Sequence, residues 1–167
     1  GQLGNGESYY GYDESIVDFG NDRYPISVSS GLYHTCVILD NGELKCWGSN
    51  TFGQLGLGTT TNHFTPQTVN LGPGRTAISL ALGTYFTCAL LDDGSVSCWG
   101  EGSSGQLGLG NTNSVSIPNT VSLGGNTVAS INAGASSICA IFSDGGLACW
   151  GYIPGQNSGI SQSIPQL

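Results

Sequence analysis

A self-similarity of about 52 residues limits this chain to a stack of like units. GQLG begins at Gly1, Gly53 and Gly105, and the first members of three cysteine pairs stand at Cys36, Cys88 and Cys139, in steps of 52 and 51 residues. The unit is clearest from His34 to Gly58, HTCVILDNGELKCWGSNTFGQLGLG, and again from Phe86 to Gly110, FTCALLDDGSVSCWGEGSSGQLGLG. A weaker third copy starts at Ser137 and departs from the pattern after Trp150, where GQNSG stands in place of GQLGLG. The less conspicuous positions follow the same shift, with Arg23 mapping onto Arg75 and Ile26 onto Ile78. Repeats of this length are built from one supersecondary unit each, stacked so that neighbours bury one another's apolar faces.

Within each period the pattern predicts four short strands joined by tight turns. In the second period these fall near Thr68–Leu71, Thr76–Leu82, Phe86–Leu91 and Ser95–Gly100. Both faces of the central hairpin are apolar. Cys36, Ile38 and Leu44 share one face, as do Cys88, Leu90 and Val96, and then Cys139, Ile141 and Leu147. On the other face Val37, Ala89 and Ala140 stay small while Leu39, Leu91 and Phe142 stay large. A sheet that is apolar on both sides has to lie between two others, and sheets repeated around an axis make a β-propeller. The expected fold is all-β, with blades of four antiparallel strands. The chain reads as a single propeller segment over 1–167: a repeat tail and insertion at 1–30, then repeats at about 31–82, 83–133 and an incomplete 134–167. About three blades and part of another are present. Because the sequence opens on a repeat tail and ends at Ile164-Pro165-Gln166-Leu167, like Ile117-Pro118 inside the second copy, the segment is expected to belong to a larger closed propeller.

The residues Gly31, His34-Thr35, Asp40-Asn41-Gly42, Cys46-Trp47-Gly48 and Gly53-Gln54-Leu55-Gly56, with their second copies, resemble the regulator of chromosome condensation repeat family. The likeness covers nearly the whole chain. It implies a propeller of four-stranded blades, usually about seven, and it brings in guanine-nucleotide exchange on a small GTPase as an alternative function.

Six cysteines form three pairs of equal spacing: Cys36 with Cys46, Cys88 with Cys98, Cys139 with Cys149. Each pair has an even index sum and centres on a loop whose third residue is glycine: Asp40-Asn41-Gly42, Asp92-Asp93-Gly94 and Ser143-Asp144-Gly145. A three-residue hairpin loop with a left-handed glycine has this chemistry. It sets the two cysteines of each pair opposite one another, with Cα atoms about 4.5–5.5 Å apart, within disulfide range. Three hairpin disulfides are therefore the favoured reading, each contributing about 3 kcal/mol through loop closure. Reduced core cysteines and metal ligation are the alternatives. Metal is disfavoured because close C-x2-C spacing is absent and only His34 and His63 are present. Disulfides imply an oxidising compartment, extracellular or at the cell surface, and intracellular members of the family do not need them.

The net charge of −8, with Arg23, Lys45 and Arg75 as the only fixed cations, argues against a nucleic-acid partner. Membrane insertion is not expected either, since no apolar run approaches the roughly 20 residues of a spanning helix. Asp13, Glu14, Asp18 and Asp22 lie in a tyrosine-rich stretch with Tyr9, Tyr10 and Tyr12. The carboxylates lack the regular spacing of a calcium loop, so a solvated acidic loop is favoured. The candidate binding residues there are Tyr9, Tyr10, Tyr12, Asp13 and Glu14, since tyrosine is enriched at interfaces. The GQLGLG loops lack the lysine and the following helix of a phosphate cradle, and no G-x-S-x-G elbow occurs. The chain is therefore not read as an enzyme, a less favoured alternative being a site in an unrecognised loop. No cofactor is expected. The function expected is an extracellular structural or binding module, an adhesin or filament component for example. It would meet a protein partner or further copies of similar blades.

Overall fold

A computed structural model describes residues 1–7, 16–20 and 22–152. Among the described residues eleven strands occur in chain order: β1 Pro25–Ser30, β2 His34–Leu39, β3 Leu44–Gly48, β4 His63–Thr68, β5 Ala77–Leu82, β6 Phe86–Leu91, β7 Val96–Gly100, β8 Val115–Thr120, β9 Val128–Ala133, β10 Ser137–Phe142 and β11 Leu147–Gly151. They form three antiparallel meanders, β1-β2-β3-β4, β5-β6-β7-β8 and β9-β10-β11. No helix occurs among the described residues. The first strands meet in succession, β1 against β5 and β5 against β9, so the sheets fan outward as propeller blades. The sheets span 25–68, 77–120 and 128–151, so a sequence window such as 31–82 straddles two blades. Likewise β1, at Pro25–Ser30, lies inside the stretch 1–30.

The hairpin register is the predicted one. Cys36 pairs with Cys46, Cys88 with Cys98 and Cys139 with Cys149. The glycines that permit this, Gly42, Gly94 and Gly145, have φ of 79°, 78° and 93°. At the first of them the Gly42 N–H donates to the Leu39 carbonyl at 2.8 Å and the Leu39 N–H to the Glu43 carbonyl at 2.9 Å. That is the ring of a type I turn closed by a left-handed bulge residue. Each cysteine pair is joined through sulfur, with Cα atoms 4.1 Å apart. This is somewhat closer than the range expected from strand geometry alone.

Burial on both faces is observed for the first two blades. Every residue of β2, β6 and β7 is buried. The cysteine face of the first blade packs against Ala89, Leu91 and Trp99 of the second. The cysteine face of the second packs in turn against Ile138, Ala140 and Phe142 of the third. Small residues at Ala89 and Ala140, both 0% exposed, let successive sheets approach. The cysteine face of the third blade is different: Ile141 and Leu147 are 48% and 62% exposed.

One strand lies elsewhere than the sequence pattern suggests. In place of a strand near Thr68–Leu71, the structure has β4 at His63–Thr68, ending where the expected one began. Pro66 lies within β4, and Pro118 within the equivalent β8. Proline cannot donate to a ladder, and as a breaker it hides a strand from a reading based on turn signals. It is tolerated here because β4 and β8 are the outer edges of their sheets and their registers shift at that point. The GQNSG segment of the third copy lies outside the described residues.

Replacing Ala89 or Ala140 with Leu should overpack the gap between blades and cost roughly 1–3 kcal/mol. Chemical denaturation of each variant reads this directly, and unchanged midpoints for both would argue against close stacking of these faces.

Candidate interaction surface

The GQLG loop at Gly53 is held by buried polar groups. After β3, Asn50 is 0% exposed. Its side-chain amide donates to the Thr59 and Thr61 carbonyls, each at 2.9 Å, and its Oδ1 accepts from the Leu55 N–H at 2.9 Å. The Gln54 side chain accepts from the Phe52 N–H and donates to Ser49 Oγ. The loop thus has a fixed shape, and it carries two further groups across to the next blade. Leu55 is fully buried between sheets. The Gln54 carbonyl accepts both the Trp99 indole N–H and the Thr87 hydroxyl, each at 2.9 Å. The last glycine of the motif is required by the same contact. Gly56 has φ 75°, and a Cβ there would fall 2.8 Å from Trp99 Nε1. The first GQLG makes the same clamp, since the Gln2 carbonyl accepts Trp47 Nε1 at 2.7 Å and Thr35 Oγ1 at 3.2 Å. In the third blade Ile138 replaces the threonine, and Trp150 Nε1 has no hydrogen-bond partner.

His34 joins this network from the preceding blade. Its Nε2 lies 2.7 Å from Thr87 Oγ1. Because the Thr87 hydroxyl gives its proton to the Gln54 carbonyl, Nε2 carries the hydrogen and donates. Nδ1 is then the unprotonated nitrogen, buried without a partner. Burial disfavours the imidazolium and lowers the His34 pKa to about 4. His34 is thus a neutral structural group and not a catalytic base.

The two ends of the blades differ in chemistry. At the end bearing the hairpin turns, every Lys and Arg of the chain meets a carboxylate: Arg23 with Asp40 at 3.0 Å, Lys45 with Glu43 at 3.1 Å, and Arg75 with Asp92 at 3.5 Å and Asp93 at 3.2 Å. Hydrogen bonding from Thr68, then the nearby Lys45, holds the Glu43 carboxyl below its usual value. Bonds from Ser95 do the same for Asp93. In the third repeat the Arg and Asp positions are taken together by Asn126 and Ser143.

The opposite end, where the turns between first and second strands meet the GQLG loops, carries aromatic side chains. Tyr33 stacks on Tyr85 with ring centroids 5.1 Å apart and planes 16° from parallel. Phe52 also meets Tyr85, with ring centroids 5.0 Å apart and planes tilted by 54°. Tyr33 is 40% exposed and neighbouring Leu32 60%. The Glu101 N–H donates to the Tyr85 carbonyl at 2.9 Å. Partial burial, then the Tyr33 hydroxyl, and last the Glu101 carboxylate raise the Tyr85 pKa.

Of the residues singled out in the sequence, the six cysteines lie in the blade hairpins as described. Tyr9, Tyr10, Tyr12, Asp13 and Glu14 fall outside the described residues. Asp18 accepts from the Gly20 N–H at 2.8 Å, a local turn. No cluster of three His, Cys, Asp or Glu able to hold a metal ion occurs among the described residues. The Tyr33–Tyr85 stack is not among the residues that the sequence motifs single out. Its signal was available, since the two tyrosines share a repeat position immediately before the buried His34 and Phe86.

Comparison with known proteins agrees with this architecture. Two family models, each described as the regulator of chromosome condensation (RCC1) repeat, match the chain, one at residues 26–54 and 77–106, the other at 41–90 and 93–141. The chain is 30% identical over 169 residues to the ultraviolet-B receptor UVR8 of Arabidopsis thaliana, covering 100% of this chain and 38% of that protein. It is 34% identical over 127 residues to the human E3 ubiquitin-protein ligase HERC2, covering 74% of this chain and 3% of that protein. Human WBSCR16 superposes with a TM-score of 0.78 at 24% identity, over 87% of this chain and 38% of that one. Yeast RCC1 (Prp20), in its complex with Kap60, superposes with a TM-score of 0.75 at 19% identity, over 85% and 36%. These structural likenesses show the fold. The chain spans well under half the length of the relatives it matches.

The buried His34 gives the chain a defined acid sensitivity. The folded imidazole titrates at about 4 and the unfolded one at 6.5. The unfolded chain therefore binds a proton that the folded chain refuses. The associated stability is complete above pH 6.5 and is lost as pH falls to about 4, by roughly 3 kcal/mol. His34→Phe, which copies Phe86, should flatten this part of the pH profile in urea unfolding. An acid slope in the variant equal to that of the parent would show that His34 does not titrate this way.

Proposed function

Because the chain belongs to the regulator of chromosome condensation repeat family, we propose that it is an extracellular or cell-surface interaction module, whose rigid blades present loops to a protein partner or to further blades of the same kind. The observation that carries the extracellular part is the three hairpin disulfides. Structural disulfides form and persist in oxidising compartments and are rare where glutathione and thioredoxin keep thiols reduced. Two of the pairs, Cys36–Cys46 and Cys88–Cys98, are wholly buried, where a reactive or catalytic cysteine would have little access.

The interaction part rests on the loops and on one blade face. Loops fixed by groups such as Asn50 and Gln54 form a rigid surface, and rigid loops on a scaffold commonly carry recognition. Further blades are a fitting partner because Ile141 and Leu147 lie open on a face whose counterparts, Ile38, Leu44, Leu90 and Val96, are all buried against a neighbour. His34, buried and bonded to Thr87, is a structural group, which suits a binding scaffold. The exchange activity of the family's founding member finds no specific support here, since the likeness to yeast RCC1 is one of fold.

Thiol counting on the native protein tests the compartment. Unfolded without reductant, the chain should show no free thiol, and after full reduction all six cysteines should react. Graded reduction should release Cys139 and Cys149 first, because they are half-buried while the other four are fully covered. Six free thiols in freshly isolated protein would overturn the extracellular reading.

A further inference from the structure

We propose that the Tyr33–Tyr85–Phe52 surface, with Glu101 at its edge, docks an arginine-bearing segment of a partner protein. The proposal rests on the interaction-module reading and names the surface and the chemistry that reading leaves open. Three aromatic rings from two blades form one partly exposed cluster, with Tyr85 in contact with both Tyr33 and Phe52. Exposed aromatic clusters beside a polar rim mark recognition sites, and tyrosine gives contact area at little cost in conformational entropy. The outer face of Tyr33 is open, at 40% exposure, next to the exposed Leu32.

Charge decides what such a surface attracts. The whole sequence holds three Lys and Arg residues. All three sit at the opposite, hairpin-turn end, each within 3.5 Å of a carboxylate. No Lys or Arg side chain lies at the aromatic end. Besides the tyrosines, its described ionisable groups are the carboxylates Glu7 and Glu101, the imidazole of His63 and the ammonium of Gly1, which donates to the Gln2 side chain while Gln2 Nε2 lies 3.4 Å from the Leu32 carbonyl. Glu101 is tied to the ring cluster through its N–H on the Tyr85 carbonyl. Its carboxylate accepts from Ser103 Oγ at 2.9 Å and lies 3.5 Å from Gln106 Nε2. These neutral donors orient the carboxylate and leave its charge uncompensated. An aromatic face beside an unneutralised carboxylate suits a guanidinium, which stacks flat on a ring and pairs with a carboxylate through its planar fork. Lysine has no planar group to stack, and an acidic segment would meet like charge.

The test uses the full chain and a dye-labelled tetra-arginine peptide, read by fluorescence anisotropy, with tetra-lysine and tetra-glutamate peptides as comparisons. The arginine peptide should bind more tightly than the lysine peptide, and the glutamate peptide not at all. Tyr33→Ala and Glu101→Gln should each weaken arginine binding by about fivefold or more. Tyr33→Phe, which keeps the ring, should stay within about twofold. Asp92→Asn at the other end should leave binding unchanged, which separates a local site from general attraction to an acidic protein. Tyr33 is exposed, so its variants should keep the parent's unfolding midpoint. The proposal is overturned if the arginine peptide fails to bind, or if Asp92→Asn weakens it as much as Glu101→Gln. It is equally overturned if a neutral oligosaccharide binds at Tyr33 in its place while Glu101→Gln has no effect. Any of these failures leaves the thiol count, and with it the module reading, standing on its own.

Discussion

The carbonyl of Gln54 is the point on which the stacking of blades turns. It accepts two buried donors from the next blade, the Trp99 indole and the Thr87 hydroxyl. A buried indole N–H or hydroxyl left unpaired costs about 1–3 kcal/mol, so the two sheets are strongly held to one relative placement. Apolar contact between the cysteine face of one blade and the alanine face of the next supplies adhesion, but it is non-directional. The clamp adds direction. It fixes the register of the blades and, through Gly56 and Leu55, the path of the loop that follows the Trp-Gly strand. The disulfides act on a different level. They tie each hairpin to itself and leave the relation between hairpins to the clamp.

The same geometry explains why the third blade is the loosest in design. Ile138 stands where Thr35 and Thr87 provide hydroxyls, and Trp150 Nε1 has no acceptor. The ion pair repeated at Arg23–Asp40 and Arg75–Asp92 is replaced there by Asn126 and Ser143. Loss of both members together avoids leaving a lone charge. The pair itself is partly exposed and contributes little, roughly 0–1 kcal/mol.

What could be read in the sequence was what depends on local period. Opposed cysteines, the left-handed glycine after a two-residue turn and apolar alternation on both faces of the hairpin all follow from rules spanning about ten residues. What escaped depends on contacts between repeats. His34 reaches Thr87, and Gln54 reaches Trp99, across blades. Nothing near His34 in the chain marks it as a buried neutral imidazole. The outer strand β4 escaped for another reason: Pro66 reads as a breaker unless the strand is known to be an edge. The tyrosine stack was visible only as two residues at one repeat position. That they touch follows from the convergence of β1 and β5, a property of the ring and not of either repeat alone.

The difference between the two ends follows from how strands of a meander are joined. At one end the joints are tight hairpins, whose Asp and Asn side chains accept from backbone N–H groups two residues on, as Asn41 does for Glu43 and Asp93 for Ser95. Carboxylates are therefore favoured there for turn chemistry, and the few cations gather around them. At the other end the turn between first and second strands is short and begins with Gly31 or Gly83, while the long loop after the third strand is organised by amide side chains. No turn there requires an acid, so the rim stays nearly uncharged. Large side chains at Tyr33, Phe52 and Tyr85 can then meet across blades without crossing a charged residue. With all three Lys and Arg side chains drawn to the far end, the Glu101 carboxylate set into this aromatic rim meets neutral donors in place of a cationic side chain.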